Sequence, residues 1–463
     1  MSAVSLPEGA LVSWYGDDFT GAAAVMEVMT FAGLPSVLFF DNPTAQQLAA
    51  FAGYRGIGIA GIARSKAPDW MAENLPGRFE ALRRIGAPVA HYKVCSTFDS
   101  APEVGSIGKA IDLGAPILGN GWHPLMVAAP AIKRYQAFGN LFAGFDDKTY
   151  RLDRHPTMSR HPVTPMAEAD IRVHLAHQTA KKIGLVDLLS LRSGQALDAL
   201  RKLRAAGSEI IAIDTVDEDD LAAAGRLIWD NRGERVFAIG SQGLEYALIA
   251  YWREAGLLPD RPAEPNAGPA ERIVVVSGSC APQTAAQIAW ASERGFMPIR
   301  VYPACALDPH AWESEIARAS AVALSAIGEG RDPLIFTAMG PDDPAIAAFH
   351  DAVARAQASI ADINARIGFG LGKALDDVLR ATKLNRGVIA GGDTSGYGAM
   401  ALGIQALTAL APTVPGAALF QGHMADGKRG IEIALKGGQM GTPDYFEWIK
   451  QGGGSAARRS KAA

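Results

Sequence analysis

Cysteine is scarce in this chain: Cys95, Cys280 and Cys305 are the only three in 463 residues. An odd, widely spaced set is no disulfide framework, and the spacing suits no zinc site. A reducing compartment fits it best, so a cytoplasmic protein is expected. Charge of one sign is lacking too. Lys and Arg number 44 against 48 Asp and Glu, for a net charge of −4. No basic field draws nucleic acid, and no run of like charge makes an interaction tail. No apolar run reaches the roughly 18 residues of a membrane span. The first residues lack the basic-then-apolar order of a signal peptide. No repeat of solenoid period is found.

What is present is a large apolar fraction, 49% of residues, in a chain long enough for two domains. A short apolar run, a Gly-rich or acidic turn and a helical pattern recur. "ALVSWYGDDFTGAAAVMEVMTFAG" is the first such unit, and "EIIAIDTVDEDDLAAAGRLIWD" and "RVFAIGSQGLEYALIAYWREAG" repeat it. "SVLFFDN", "GIGIAGIARS", "PVAHYKVCS" and "APILGNG" read as further strands. Such alternation predicts an α/β protein with mostly parallel sheets flanked by helices. The pattern lapses in "AGLLPDRPAEPNAGPAE", where Pro, Ala and Gly leave no apolar period. The boundaries that follow are a first domain over 1–255, a linker over 256–271, a second domain over 272–450 and a disordered tail over 451–463. Apolar helix faces leave room for a homo-oligomer, without naming an interface.

Three stretches of the second domain share one logic. "IVVVSGSCAPQTAAQ", "GVIAGGDTSGYGAMALGIQAL" and "EIALKGGQMG" each end a strand in a turn of small residues, at Ser277–Cys280, Gly391–Gly396 and Gly437–Gly441. Such turns let backbone N–H groups approach a ligand, and a following helix adds partial positive charge. Gathered on one sheet edge, they would cradle a polyphosphate. Asp393 and Thr394 add a carboxylate and a hydroxyl to the second turn. No G-x-x-x-x-G-K-S/T occurs, and no clean G-x-G-x-x-G follows a strand, so neither a P-loop nor a dinucleotide fingerprint is present.

In the first domain, "GDDFTG" puts Asp17 and Asp18 between a strand and a helix. One carboxylate is explained as a helix cap. The other is left to accept a hydrogen bond from a sugar hydroxyl or to take its proton as general base. Other strand ends bring Arg64 and Ser65, then Lys93, Ser96, Thr97, Asp99 and Ser100. Arg134 follows in "PAIKRYQAFGN". A guanidinium grips a carboxylate through two parallel hydrogen bonds, so a small anionic, hydroxylated ligand is expected. His155 and His161 each precede a proline and read as structural residues of a crossover loop.

Taken together, "DDFTGA" (17–22), "RS" (64–65), "YKVCSTFDS" (92–100), "HPVTPM" (161–166), "GSQGL" (240–244), "SGSCAPQTAAQ" (277–287), "GGDTSG" (391–396) and "LKGGQMG" (435–441) resemble the four-carbon acid sugar kinase family. The motifs follow the family's order over nearly the whole chain. The resemblance implies an N-terminal sugar-acid domain, a C-terminal ATP domain and an active site in the cleft between them. It implies ATP contacts at Ser277, Gly391, Gly392, Asp393, Thr394 and Gly438, with magnesium on the phosphates. Asp17, Arg64, Ser65, Lys93 and Ser96 would line the sugar-acid site, with Asp18 and Arg134 as further binding candidates and Asp17 as the base.

One departure bears on the substrate. Members that act on 3-oxo-tetronate typically read Lys-Gly-Asn where this chain has Val104, Gly105 and Ser106. "PAIKRYQAFGN" also departs from the family's usual Asn-Gly-Arg-Thr. A branch resembling 3-oxo-isoapionate kinases offers an alternative substrate. Two rivals carry other chemistry: a metal-dependent phosphatase built on Asp17 and Asp18, and a non-catalytic sugar-acid sensor hinged at 255–271.

Overall fold

The structure is a computed structural model in which residues 5–119, 121–161, 163–424 and 430–454 are described, apart from the side chain of Asp393. The chain divides into two compact units, Met1–Pro262 and Ala263–Ala463.

The strands of the first unit are β1 (Val12–Gly16), β2 (Ser36–Phe39), β3 (Gly56–Ala60), β4 (Val89–Lys93), β5 (His123–Met126), β6 (Arg134–Ala137), β7 (Asn140–Phe145), β8 (Lys148–Arg151), β9 (Ile183–Val186), β10 (Ile210–Ile213) and β11 (Val236–Gly240). A parallel sheet runs in the order β2-β3-β1-β4-β11-β5-β10-β9. Its central strands are buried along their whole length, because helices cover both faces of such a sheet. That is why their sequences are continuous apolar runs and not alternating ones. The chain moves from β1 to one side for β2 and β3, then to the other side for β4. The C-terminal end of β1 is therefore a topological switch point, the usual ligand edge of an open parallel sheet. β6, β7 and β8 form a separate antiparallel sheet.

The second unit has β12 (Val274–Ser277), β13 (Phe296–Arg300), β14 (Asp332–Phe336), β15 (Arg386–Ala390), β16 (Ile404–Ala411), β17 (Leu419–Met424) and β18 (Ile431–Lys436). The order is β13-β14-β12-β15-β18-β17-β16. Strands β13 to β18 in that order are parallel, and β17 and β16 are antiparallel. β12 occupies the position that β1 holds in the first unit, with a second switch point at Ser277. Each unit has its own apolar core. Tyr15, Phe79, Tyr92 and Phe237 are central to the first, and Phe296, Phe446 and Trp448 to the second.

Two expectations are corrected. "APILGNG" is not a strand but the end of the helix Ile107–Leu118. Ile107, Ala110, Ile111, Ala115 and Leu118 are its buried side, which is helical spacing, and the strand comes after it, at β5. Residues 452–454 of the expected disordered tail are held by backbone hydrogen bonds. Gly453 N donates to Trp448 O and Gly454 N to Pro412 O, a return path that the positive φ of Gly452, Gly453 and Gly454 permits. The rest of that tail lies outside the described residues. Between Glu254 and Val274 there is no helix or strand. The later part of this segment lies against the second unit, where Ala267 N donates to Gly452 O, Ala270 N to Lys450 O and Arg386 Nη1 to Gly268 O.

Candidate active site

Register aligns the ends of the central strands. Gly16 pairs with Ala60 on one side and with Lys93 on the other, so the turns after β1, β3 and β4 stand side by side. Asp17 N donates to Lys93 O at 2.9 Å, and Arg64 N donates to Asp17 O at 3.0 Å. The backbone thereby pins the two carboxylates, the guanidinium and the ammonium to one patch.

The two aspartates divide the work. Asp18 caps the helix Phe19–Phe31, its Oδ1 accepting from Gly21 N at 3.0 Å. Asp17 is 1% exposed and is held by Arg64, whose Nη2 donates to Asp17 Oδ1 at 2.6 Å and whose Nε donates to Oδ2 at 3.3 Å. The same Nη2 donates to Asp18 Oδ1 at 2.6 Å. Burial pushes the Asp17 carboxyl up to about 6; Arg64 opposes the rise and the neighbouring charge of Asp18 adds to it. Lys93 Nζ donates to Val94 O at 2.6 Å, and burial lowers its pKa. Gly21 leaves room for both charged tips: a Cβ on it would lie 2.3 Å from Asp18 Oδ1 and 2.9 Å from Lys93 Nζ, and they would have to shift.

Beyond β4, Cys95 Sγ meets Thr97 Oγ1 at 2.9 Å, and Thr97 Oγ1 donates to Asp99 Oδ1. Burial raises the Cys95 thiol pKa and Asp99 adds to the rise, while Arg64 and Lys93 oppose it. Cys95 and Asp99 act in turn on Arg134, whose pKa is lowered by burial. Arg134 Nη1 is spent on the carbonyls of Ile132 and Lys133, and its Nε is buried without a partner. Structure thus brings together Asp17, Asp18, Arg64 and Lys93, with half-buried Ser96 in the next turn and Arg134 beyond it. Ser65 is set apart: it is exposed, and its hydroxyl donates to Ile62 O. His155 Nδ1 accepts from the amides of Thr157 and Met158, and His161 Nδ1 from that of Thr164, so both histidines brace their loop.

In the second unit the registers Ser277↔Ala390 and Ala390↔Lys436 make three strand ends flush. Gly278 N donates to Ala390 O, and Gly391 N donates to Lys436 O at 2.9 Å. Ser277 is fully buried and accepts from Ser279 N, so it shapes its turn from within. A Cβ on Gly278 would lie 2.3 Å from Thr394 Oγ1, and one on Gly438 2.5 Å from Ser279 Oγ. Gly391 has φ of +126° and opens the helix Gly392–Ala401. Thr394 therefore touches the first turn, and Gly438 packs against it. The Asp393 side chain lies outside the described residues.

Beside these turns is a cavity of about 290 Å³, near the lower end of the roughly 300–1,000 Å³ of small-molecule pockets. Gly278, Ser279, Gly391, Gly392 and Thr394 line one part of it. Pro303, Ile346, Phe349, His350, Asn364 and Ile367 are among the residues that line the rest. Sequence reasoning missed this second set. Most belong to the helices Pro344–Arg355 and Ile360–Thr382, where an apolar residue on a pocket has the same spacing as one in the core. Among the described residues no three His, Cys, Asp or Glu side chains gather as a metal site, and no helix is long and apolar enough to cross a membrane.

Comparison with known proteins matches both halves. A sugar-binding N-terminal domain family covers residues 12–248, and a nucleotide-binding C-terminal domain family covers residues 274–446. A 3-oxo-isoapionate kinase of Paraburkholderia graminis is 47% identical over 97% of this chain and 96% of its own. A 3-oxo-tetronate kinase of Cupriavidus necator is 29% identical over 98% of this chain and 100% of its own. The solved structure of a Salmonella typhimurium LT2 protein described as a tRNA synthase shares the fold, with a TM-score of 0.76 at 23% identity over 95% of this chain and 98% of its own. A sugar-binding half joined to a nucleotide-binding half, in a chain similar from end to end to sugar-acid kinases, has one home: the chain belongs to the four-carbon acid sugar kinase family.

Proposed function

We propose that the chain transfers the γ-phosphoryl group of ATP to a terminal hydroxyl of 3-oxo-isoapionate or a close branched oxo-acid. The observation that carries the choice of substrate is the 47% identity to a 3-oxo-isoapionate kinase, against 29% to a 3-oxo-tetronate kinase. A local difference supports it. Ser106 caps the helix Ile107–Leu118, and Gly105 lies with φ of +60° against the Arg64 carbonyl. Where 3-oxo-tetronate kinases typically carry a lysine, this chain places the neutral Val104, which leaves the ground near Arg64 without an extra cation.

Asp17 is the base in this reading. Ionised above about pH 6, it takes the proton of the acceptor hydroxyl as that oxygen bonds to phosphorus, and ADP is the leaving group. Arg64 fixes the Asp17 carboxylate in one orientation. Lys93, Ser96 and the unspent Nη1 of Arg64 hold the substrate's carboxylate, and Arg134 serves its far end. The turns at 277–280, 391–396 and 437–441 hold the phosphates by backbone N–H groups, with Asp393 and Thr394 beside them. The apolar side chains Pro303, Ile346, Phe349 and Ile367 of the cavity take the adenine ring. Magnesium, when bound, would offset the charge of the nucleotide's phosphates, and Asp393 and Thr394 of the 391–396 turn are the protein groups that would hold it. The protein is placed in the cytoplasm, with no role for nucleic acid.

A coupled ADP-release assay with ATP and magnesium tests the reading over 3-oxo-isoapionate, 3-oxo-tetronates and four-carbon aldonates. The highest kcat/KM is expected with 3-oxo-isoapionate. A higher value with a 3-oxo-tetronate overturns the substrate, and tight sugar-acid binding without ADP release restores the sensor.

A further inference from the structure

Lys436 is the last residue of β18, and its side chain is wholly buried. Its Nζ donates to Thr284 Oγ1 at 3.0 Å and to Gly437 O at 3.0 Å. Thr284, in the first turn of the helix Pro282–Ser292, donates in turn to Gly438 O at 2.7 Å. The backbone oxygen of Lys436 accepts from Gly391 N. One residue thus ties the helix that follows the 277–280 turn to the 391–396 and 437–441 turns. Its partners are all neutral oxygens.

The charged and titratable groups on the surrounding elements are engaged elsewhere. Arg386 pairs with Glu432 at the far ends of β15 and β18. Lys450 pairs with Asp332, and Glu447 is bonded to Gln451. His423 on β17 meets Thr408, and Tyr397 packs on Phe369. Cys280 is exposed at its turn. The ring of Tyr445 lies 5.9 Å from Nζ, and its hydroxyl donates to Ala417 O. Asp393, on the helix Gly392–Ala401, has its side chain outside the described residues. Among the described residues no carboxylate offsets this ammonium.

We propose that Lys436 is a positioning residue of the nucleotide site whose missing counter-charge is the polyphosphate of the bound nucleotide, so that binding draws a proton onto Lys436. The inference rests on the nucleotide reading given above. Its physical basis is that a buried cation lacking an anion is costly, and an arriving polyanion removes that cost. Burial brings the Lys436 ammonium down to about 7, so the free protein holds it largely neutral at pH 8. A bound polyanion raises that value, and the sign is proton uptake.

The test is calorimetric titration of the full chain with magnesium-saturated ADP and with a non-hydrolysable ATP analogue, at pH 8, in buffers of different ionisation enthalpy. At that pH the phosphates are already ionised, since their last pKa is about 6, and they contribute no uptake. The wild type is expected to take up between about half and one proton per nucleotide bound. Lys436→Met is expected to take up none and to bind roughly 30-fold or more weakly, as when one partner of a buried charge pair is removed. No uptake by the wild type, which requires no variant, overturns the proposal. So does equal uptake or unchanged affinity in a folded Lys436→Met. Absence of any nucleotide binding by the wild type would overturn the nucleotide reading itself, and Lys436 with it.

Discussion

At the scale of the residue, Asp17 and Asp18 show how position separates identical side chains. Asp18 is partly exposed and caps a helix; Asp17 is buried against Arg64. Burial raises the titration of Asp17 to about 6. A general base must be deprotonated to act, so protonation removes activity as pH falls through that value. The logarithm of kcat/KM is expected to rise with unit slope up to about pH 6 and to level off above it; a profile that stays flat from pH 5 to 7 contradicts the assignment. Asp17→Asn keeps the size and loses the base. Turnover should fall by about 10²–10⁴, with nucleotide affinity within a factor of about two, as read by steady-state kinetics and calorimetry. The sequence made this pair legible because one carboxylate had a capping explanation and the other had none. It did not reveal which was which, because Arg64 is 47 residues away from Asp17 along the chain and only β-sheet register brings them together.

At the scale of the element, the strand-to-turn units were legible for the same reason that they work. A strand buried on both faces is a continuous apolar run, and a turn that lets backbone approach a ligand is rich in glycine. The reading failed at "APILGNG", where an apolar run bounded by glycine is ambiguous between a strand and a buried helix end. It failed too along the helices Pro344–Arg355 and Ile360–Thr382, whose pocket-facing residues carry no local mark. The turns lend themselves to a sharper check. Gly391 has φ of +126°, a region that costs other residues about 1–3 kcal/mol, and a Cβ there would sit 2.9 Å from Thr394 Oγ1. Gly391→Ala should destabilise the second unit by about that amount in urea unfolding. It should also weaken nucleotide binding while leaving sugar-acid affinity unchanged. Unaltered stability and nucleotide affinity would show that the turn tolerates a side chain and does not need its backbone this close.

At the scale of the whole molecule, the Pro-, Ala- and Gly-rich stretch near residue 260 includes the division between the two units, and it carries no apolar period that would make a helix or strand. The substrate was not legible from such features. The proposed substrate rests on resemblance, since the identity of a sugar acid depends on a few side chains set around a switch point, and similar turns suit many ligands. The presence of two apolar cores has a thermodynamic consequence. If each unit melts on its own core, a ligand stabilises only the unit that binds it. At a hundred times its dissociation constant that amounts to about 2.7 kcal/mol, or a rise of roughly 5–10 °C for units of this size. Scanning calorimetry should therefore show two transitions. A non-hydrolysable ATP analogue with magnesium should move one, and the sugar acid should move the other. A single transition raised by either ligand alone would mean that the two cores unfold as one, and ligand affinity at one site would then report on the stability of the whole chain.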